Sequence, residues 1–400
     1  MTAPEGMADR LHDDIAPPTA NPKVSRRHLV QGTAVTAGAL ALGSPVDRRE
    51  ALAQDAAATP ATPSPTGRVL DFDIPGLAIG VAAYSEIPTG CTVFNFDADM
   101  YPAGVMLELD VRGRQPWQIG AYDIVNAISL AGGSVYGVEP ATGVAAELFA
   151  QSGYRDLVAV SGAVIWDVSM VEEPDGFRGK GIYPDKALGQ EALRAAQLGR
   201  FPLGNQGAGS GAYVGQWANF PYERERGGQG GAFRQIGPLK VAVFSVVNAL
   251  GVIVDRQGQV VRGGLDQRTG ERTTPIQDAE GILSGTSVRV QPEAALPGGL
   301  TRHTTLTVLV TNVALPRDLL RQLGRQVHSS MARAIQPFNT PDDGDTFFTV
   351  STGEIAPDDS DSPFSTALGA DIDSTFSTAL GVVASELAWD AVLSSFDPAV

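Results

Sequence analysis

The sequence predicts an α/β protein whose sheet layers are covered by helices. Short apolar and β-branched runs bounded by Gly and Pro recur along the chain, at residues 77–84, 91–96, 106–111, 157–168 and 241–247. Stretches with helical spacing alternate with them, at 122–130, 142–149 and 186–198. A hydrophobic content of 43% with 46 glycines and 27 prolines suits a compact, loop-rich chain of this class.

Residues 1–24 are polar and breaker-rich, a composition that does not fold by itself. Ser25-Arg26-Arg27-His28-Leu29-Val30 then precedes an apolar run over 34–42, and Ala51-Leu52-Ala53 offers a small-x-small cleavage site before Gln54. This layout predicts a twin-arginine export signal over 1–53 and a periplasmic or extracellular protein. The run is too short to remain as a membrane span. The Ala/Thr/Pro-rich residues 54–68 read as a flexible tether.

In the body of the chain, residues 77–84 and 91–96 suit paired strands, and 106–111 alternates as a third. Residues 122–130 take on helical spacing until Gly132-Gly133-Ser134 breaks it. A helix with small packing residues follows at 142–149, then a strand region at 157–168 and an amphipathic helix at 186–198. Gly204-Asn205-Gln206-Gly207-Ala208-Gly209-Ser210-Gly211 lacks the Lys-Ser/Thr ending of a phosphate loop, so its glycines point to close backbone approach. Residues 241–247 predict a strand buried on both faces with Asn248 at its end, where Asn is also a common turn former. The polar stretch 256–302 reads as an exposed, flexible insertion. Pro316 opens a helix with Leu319, Leu320, Leu323, Val327, Met331 and Ile335 on one stripe. A last helix is predicted over 375–394. The echo of Phe364–Gly369 in Phe376–Gly381 is too short for a repeat architecture.

A net charge of −16 disfavours nucleic acid and anionic membrane surfaces as partners. Cys91 is the single cysteine, so no intramolecular disulfide forms, and nothing near it in sequence would activate the thiol; it reads as a core residue. After the signal only His303 and His328 remain, which disfavours a His-based triad or a His-rich metal site.

The most informative stretch is 302–312. Residues 305–310 alternate as a buried strand that opens on Thr304-Thr305 after the breaker-rich loop 294–300. Threonine favours strands, which accounts for the pair without any chemistry. The sharper reading is self-cleavage, in which Thr304 severs the bond after His303 and then uses its own freed amine as base. The acidic turn Asp342-Asp343-Gly344-Asp345-Thr346 would otherwise read as a solvated turn or a weak cation site.

Seven short motifs appear in one order: Ile74-Pro75-Gly76-Leu77 with Thr89-Gly90-Cys91-Thr92-Val93, then Asp110-Val111-Arg112-Gly113, Ala131-Gly132-Gly133-Ser134-Val135-Tyr136-Gly137, the glycine loop at 204–209, Val247-Asn248-Ala249-Leu250-Gly251, Thr304-Thr305 and Asp343-Gly344-Asp345-Thr346. Together they resemble the L-aminopeptidase/D-amidase-esterase (DmpA-type) family, which includes β-peptidyl aminopeptidases and endo-acting nylon-oligomer hydrolases. The resemblance implies a four-layer αββα sandwich in a single domain, cut into an α chain (69–303) and a β chain (304–400), several such units assembling together. It also implies roles: Thr304 as nucleophile, Asn248 as oxyanion donor, Asp343 and Asp345 around the new amine, and Tyr183 as a functional tyrosine. Arg226 stands where many relatives carry lysine; it can position charge but cannot act as a base. His303 precedes the implied cut, where relatives often have Asn or Gly. No metal or organic cofactor is implied. The expected activity is an aminopeptidase acting on small peptides or amides. An endo-hydrolase of ω-amino acid oligoamides is the alternative, favoured by the Asp-Gly-Asp form of the acidic turn, and an uncleaved binding protein on the same scaffold is the non-enzymatic rival.

Overall fold

Val-, Ile- and Phe-rich runs that alternate or are apolar throughout can bury both faces only between covering layers. The computed structural model describes residues 67–112, 118–167, 181–217, 222–286, 303–355 and 374–397. Twelve strands form two six-stranded sheets. They are β1 (Leu77–Ala83), β2 (Gly90–Phe96), β3 (Val105–Val111), β4 (Gln118–Ile119), β5 (Ile124–Val125), β6 (Ala127–Ala131), β7 (Val160–Val164), β8 (Gln197–Leu198), β9 (Gly228–Ile236), β10 (Leu239–Asn248), β11 (Thr304–Val313) and β12 (Thr346–Ile355). The first sheet runs β4-β7-β6-β2-β1-β8 and the second β9-β10-β11-β12-β3-β5. In each sheet one pair is parallel, β6 with β7 and β11 with β12.

The two inner faces meet through Ile79, Phe94, Ile128 and Leu130 of the first sheet and Phe244, Val246, Leu306, Val308 and Phe348 of the second. Helices α1 (Glu139–Gln151) and α2 (Lys186–Arg194) cover the first sheet through Val144, Leu188 and Ala192. On the second sheet α4 (Arg317–Ser330) and α5 (Ser374–Leu393) pack Leu320, Leu323, Val327, Leu387 and Val392 against Val241, Val243 and Leu309. The layers are therefore α, β, β, α, as the resemblance implied. Helix α5 is long and apolar enough to cross a bilayer, yet Phe376, Leu380, Ala384 and Leu387 are buried against the sheet.

The strand expectations at 77–84, 91–96, 106–111 and 241–247 match β1, β2, β3 and β10, and Cys91 is fully buried in the core. Burial without an activating neighbour pushes its thiol up to about 12, despite the Ser129 hydroxyl beside it. Residues 122–130 are a correction. They form β5 and β6, and all five residues of β6 are buried. A run covered on both faces carries no period that separates helix from strand, and pairing with β2 and β7 settles it. The helix expected at 186–198 ends at Arg194, and Gln197–Leu198 joins the sheet edge instead.

The polar stretch after Asp255 is also more ordered than expected. Val260–Arg262 pairs with Val252–Val254, and α3 (Pro275–Ser284) begins on a Thr274/Gln277 capping box. Glu225 binds Arg262 and Arg272, which ties this segment to the body. The expected export signal over 1–53, most of the tether, residues 287–302 and the first copy of the echo lie outside the described residues.

Helix α2 lies close on β1 because Gly80 has no side chain. A Cβ there would sit 1.8 Å from the Ala192 carbonyl oxygen. Gly80→Ala is therefore expected to destabilise the fold by about 1–3 kcal/mol, the range for overpacking. A thermal melt of the variant showing an unchanged midpoint would contradict so close a helix–sheet contact.

Candidate active site

The site grows from the register of the second sheet. Strand β10 runs antiparallel to β11 so that Asn248 stands directly opposite Thr304. Directly paired residues share a face, and here the even-numbered positions Leu306, Val308 and Val310 face the other sheet. Thr304 and Asn248 thus project side by side into the space between the sheets at one end of the molecule; Thr304 is 2% exposed and Asn248 fully buried. The Thr304 hydroxyl donates to the carbonyl oxygen of His303, 2.6 Å away. Asn248 is held by its amide: the oxygen accepts from the Tyr213 N–H at 3.1 Å, and the NH2 donates to the Trp166 carbonyl at 3.3 Å.

The carboxyls come from the loop into β12. Asp345 accepts the Thr305 N–H on Oδ1 at 2.6 Å, and its Oδ2 is buried without a hydrogen-bond partner. Burial pushes this carboxyl well above the usual carboxylate range, and the neighbouring Asp343 carboxyl raises it further. Asp343 is itself raised by burial, against the opposing pull of the Thr340 N–H, which donates to it at 2.8 Å. A parallel bridge pairs His303 with Asp343, and the Gly344 N–H donates to the His303 carbonyl at 2.8 Å. Thr304, Asn248, Asp343, Asp345 and the His303 carbonyl are thereby gathered at one strand end. Among the described residues no group of three or more His, Cys, Asp or Glu side chains has metal-holding geometry.

Arg226 lies one link away. Its guanidinium donates to the Ser210 carbonyl and sits 4.8 Å over the Tyr213 ring, and Tyr213 is the residue that holds the Asn248 oxygen. Tyr183 is placed apart from this cluster. Its ring packs 5.8 Å from that of Tyr136, and the nearby Glu139 carboxylate pushes its phenol above the usual range. The next residue, Pro184, packs against the Gly133 turn. His328 is buried against Phe347 and Phe338, with Nδ1 3.1 Å from Asp110, on the helix-covered face.

Two groups escaped the sequence reading. Asp167 is a buried carboxyl beside Asn248's anchor Trp166. It accepts from the Thr89 hydroxyl at 2.8 Å and the Gly133 N–H at 2.6 Å, and burial raises it to about 6. A lone acid ending the apolar run 160–166 was the available signal. The Gly344 N–H left no signal at all, since a backbone donor is invisible to residue type.

A family profile described as "Peptidase family S58" matches residues 72–396. A protein named 6-aminohexanoate-oligomer endohydrolase from Paenarthrobacter ureafaciens is 42% identical over 343 residues, covering 82% of this chain and 87% of the relative. A protein named uncharacterized aminopeptidase from Mycobacterium bovis is 30% identical over 273 residues, covering 64% of this chain and 72% of its own length. Among solved structures, a Burkholderia sp. beta-aminopeptidase superposes with a TM-score of 0.56 at 17% identity, covering 86% of this chain and 88% of that one. The L-aminopeptidase D-Ala-esterase/amidase of Ochrobactrum anthropi, described as a variant of the Ntn hydrolase fold, superposes with a TM-score of 0.52 at 15% identity, covering 84% and 88%. With the sandwich in place and a profile match across nearly all of it, the chain belongs to peptidase family S58, whose members are hydrolases.

Proposed function

We propose that this protein is a self-processing amide hydrolase that cuts ω-amino acid oligoamides internally, with Thr304 as its nucleophile. The observation that supports this best is the Thr304 hydroxyl resting 2.6 Å from the carbonyl oxygen of the bond it would sever, opposite Asn248 and beside two buried carboxyls. In the first step Thr304 Oγ attacks the His303 carbonyl carbon. The C–N bond breaks, the hydroxyl proton ends on the departing nitrogen, and an ester joins His303 to Thr304. Water opens the ester and leaves a chain ending at His303 and another beginning at Thr304. The new amine then takes the Oγ proton as Thr304 attacks a substrate amide, and the Asn248 NH2 faces the developing oxyanion.

Support for the substrate comes from the relatives. Two relatives at 42% identity are named endohydrolases of 6-aminohexanoate oligomers, whereas one named an aminopeptidase is 30% identical and another shares only the fold. The endo reading therefore stands ahead of the aminopeptidase reading that the sequence first suggested. Export through the signal over 1–53 and assembly of several αβ units belong to the same proposal. N-terminal sequencing from Gln54 and the mass in solution test them.

A cyclic 6-aminohexanoate oligomer separates the two activities, because it has no free amine for an aminopeptidase to engage. The cleaved protein is expected to open the ring and to cut linear oligomers at internal bonds, with products read by mass spectrometry. Release of single residues from linear chains alone, with the ring untouched, would return the aminopeptidase reading.

A further inference from the structure

We infer that the backbone N–H of Gly344 is a catalytic donor in the self-cleavage step, binding the oxyanion that forms on the His303 carbonyl. The inference rests on the reading of His303–Thr304 as the severed bond and deepens it. The His303 oxygen receives two hydrogen bonds, from Thr304 Oγ at 2.6 Å and from the Gly344 N–H at 2.8 Å. The first is lost by the chemistry itself, since Oγ becomes bonded to the carbonyl carbon and surrenders its proton. The second remains and strengthens as charge gathers on the oxygen.

The donor is fixed before the reaction begins. Gly344 is buried, and the parallel bridge between His303 and Asp343 sets its register. The turn behind it is locked in both directions, by the Asp343 N–H on the Thr340 carbonyl at 3.1 Å and by the Thr340 N–H on the Asp343 carboxyl at 2.8 Å. A rigid, buried donor aimed at a developing charge needs no reorganisation, the condition under which such groups act most strongly. The arrangement also gives the acidic turn a second purpose, because it delivers a main-chain donor to the same bond that its carboxyls flank.

The test uses the full chain in three versions. Gly344 is not among the glycines with left-handed φ, so a residue other than glycine meets no left-handed backbone strain there. Gly344→Pro removes the N–H and is expected to cleave on the order of a hundredfold more slowly, by intact mass against time. Hydroxylamine, which opens an ester but not an amide, should fail to restore the proline variant's cleavage, because the block precedes the ester. Wild-type cleavage by a folded Gly344→Pro chain, or full rescue by hydroxylamine, would overturn the inference. If the proline variant does not fold, hydrogen exchange in the uncleaved Thr304→Ala chain decides: slow exchange at the Gly344 amide supports the bond, and fast exchange overturns it. Failure of the underlying reading looks different, since the wild type itself would then never be cut between His303 and Thr304.

Discussion

Thr304→Ala is expected to leave one full-length chain on a denaturing gel, where the wild type gives two fragments, the second starting at Thr304. Hydrolysis of oligoamides should fall by about 10⁴-fold or more, since loss of a covalent nucleophile leaves only binding and oxyanion stabilisation. The substitution removes a buried hydroxyl that hydrogen-bonds its own preceding carbonyl, so the fold should survive and the effect should lie in the chemistry. Thr304→Ser retains the hydroxyl and should still cleave. A Thr304→Ala chain that cuts itself would remove the nucleophile from the proposal. One that stays intact but hydrolyses substrate would separate processing from turnover.

Asp345→Asn is expected to have the second largest effect. The amide keeps an acceptor for the Thr305 N–H, which Asp345 now holds at 2.6 Å, but it cannot carry the proton or the charge. Turnover should drop by about 10²–10⁴-fold, the range for a positioned acid–base group. The same residue has a stability signature. Its folded carboxyl is raised by burial and by Asp343, while in the unfolded chain it titrates near the ordinary value of about 3.9. Between those two values the folded state binds more protons than the unfolded state, so stability falls as pH rises. The contribution is complete below pH ~4 and is lost as pH climbs through the raised value. In an uncleaved Thr304→Ala background, adding Asp345→Asn should therefore flatten the decline of the melting midpoint from acid towards neutral pH. Asp343 and Asp167 are raised in the same direction, so they continue to contribute a slope of the same sign in the double variant. An identical pH profile with and without Asp345 would show that this carboxyl is not held neutral.

Much of this site was legible in residue order. The β-branched run after Thr304 read as a strand buried on at least one face and the largely apolar run ending at Asn248 as one buried on both, and the two are neighbours in the second sheet. The acidic turn was legible as a turn, and the placement of Asp343 and Asp345 beside the Thr304 strand follows the motif order. Tyr183 and Arg226 were assigned by position in a motif, and the fold treats them unequally. Arg226 packs over Tyr213, whose N–H holds the Asn248 oxygen, whereas the Tyr183 ring packs against Tyr136. Motif order constrains which elements meet, but not which way a side chain leaves a loop.

By itself the hydrophobic pattern determined the α/β class and the inner strands, because period and β-branching act locally and survive in a linear reading, while the layer order and Thr304 as candidate nucleophile came from the resemblance that the ordered motifs carry. The tertiary structure alone decided that 127–131 is a strand, since a segment buried on every side has no period to read. It alone raised the Asp345 carboxyl well above the usual carboxylate range, because that shift comes first from burial, which the packing of the whole fold imposes, and then from the Asp343 carboxyl beside it. It also set the Gly344 N–H on the His303 carbonyl, a contact made by main-chain atoms that every residue carries and that only the register of two strands can aim.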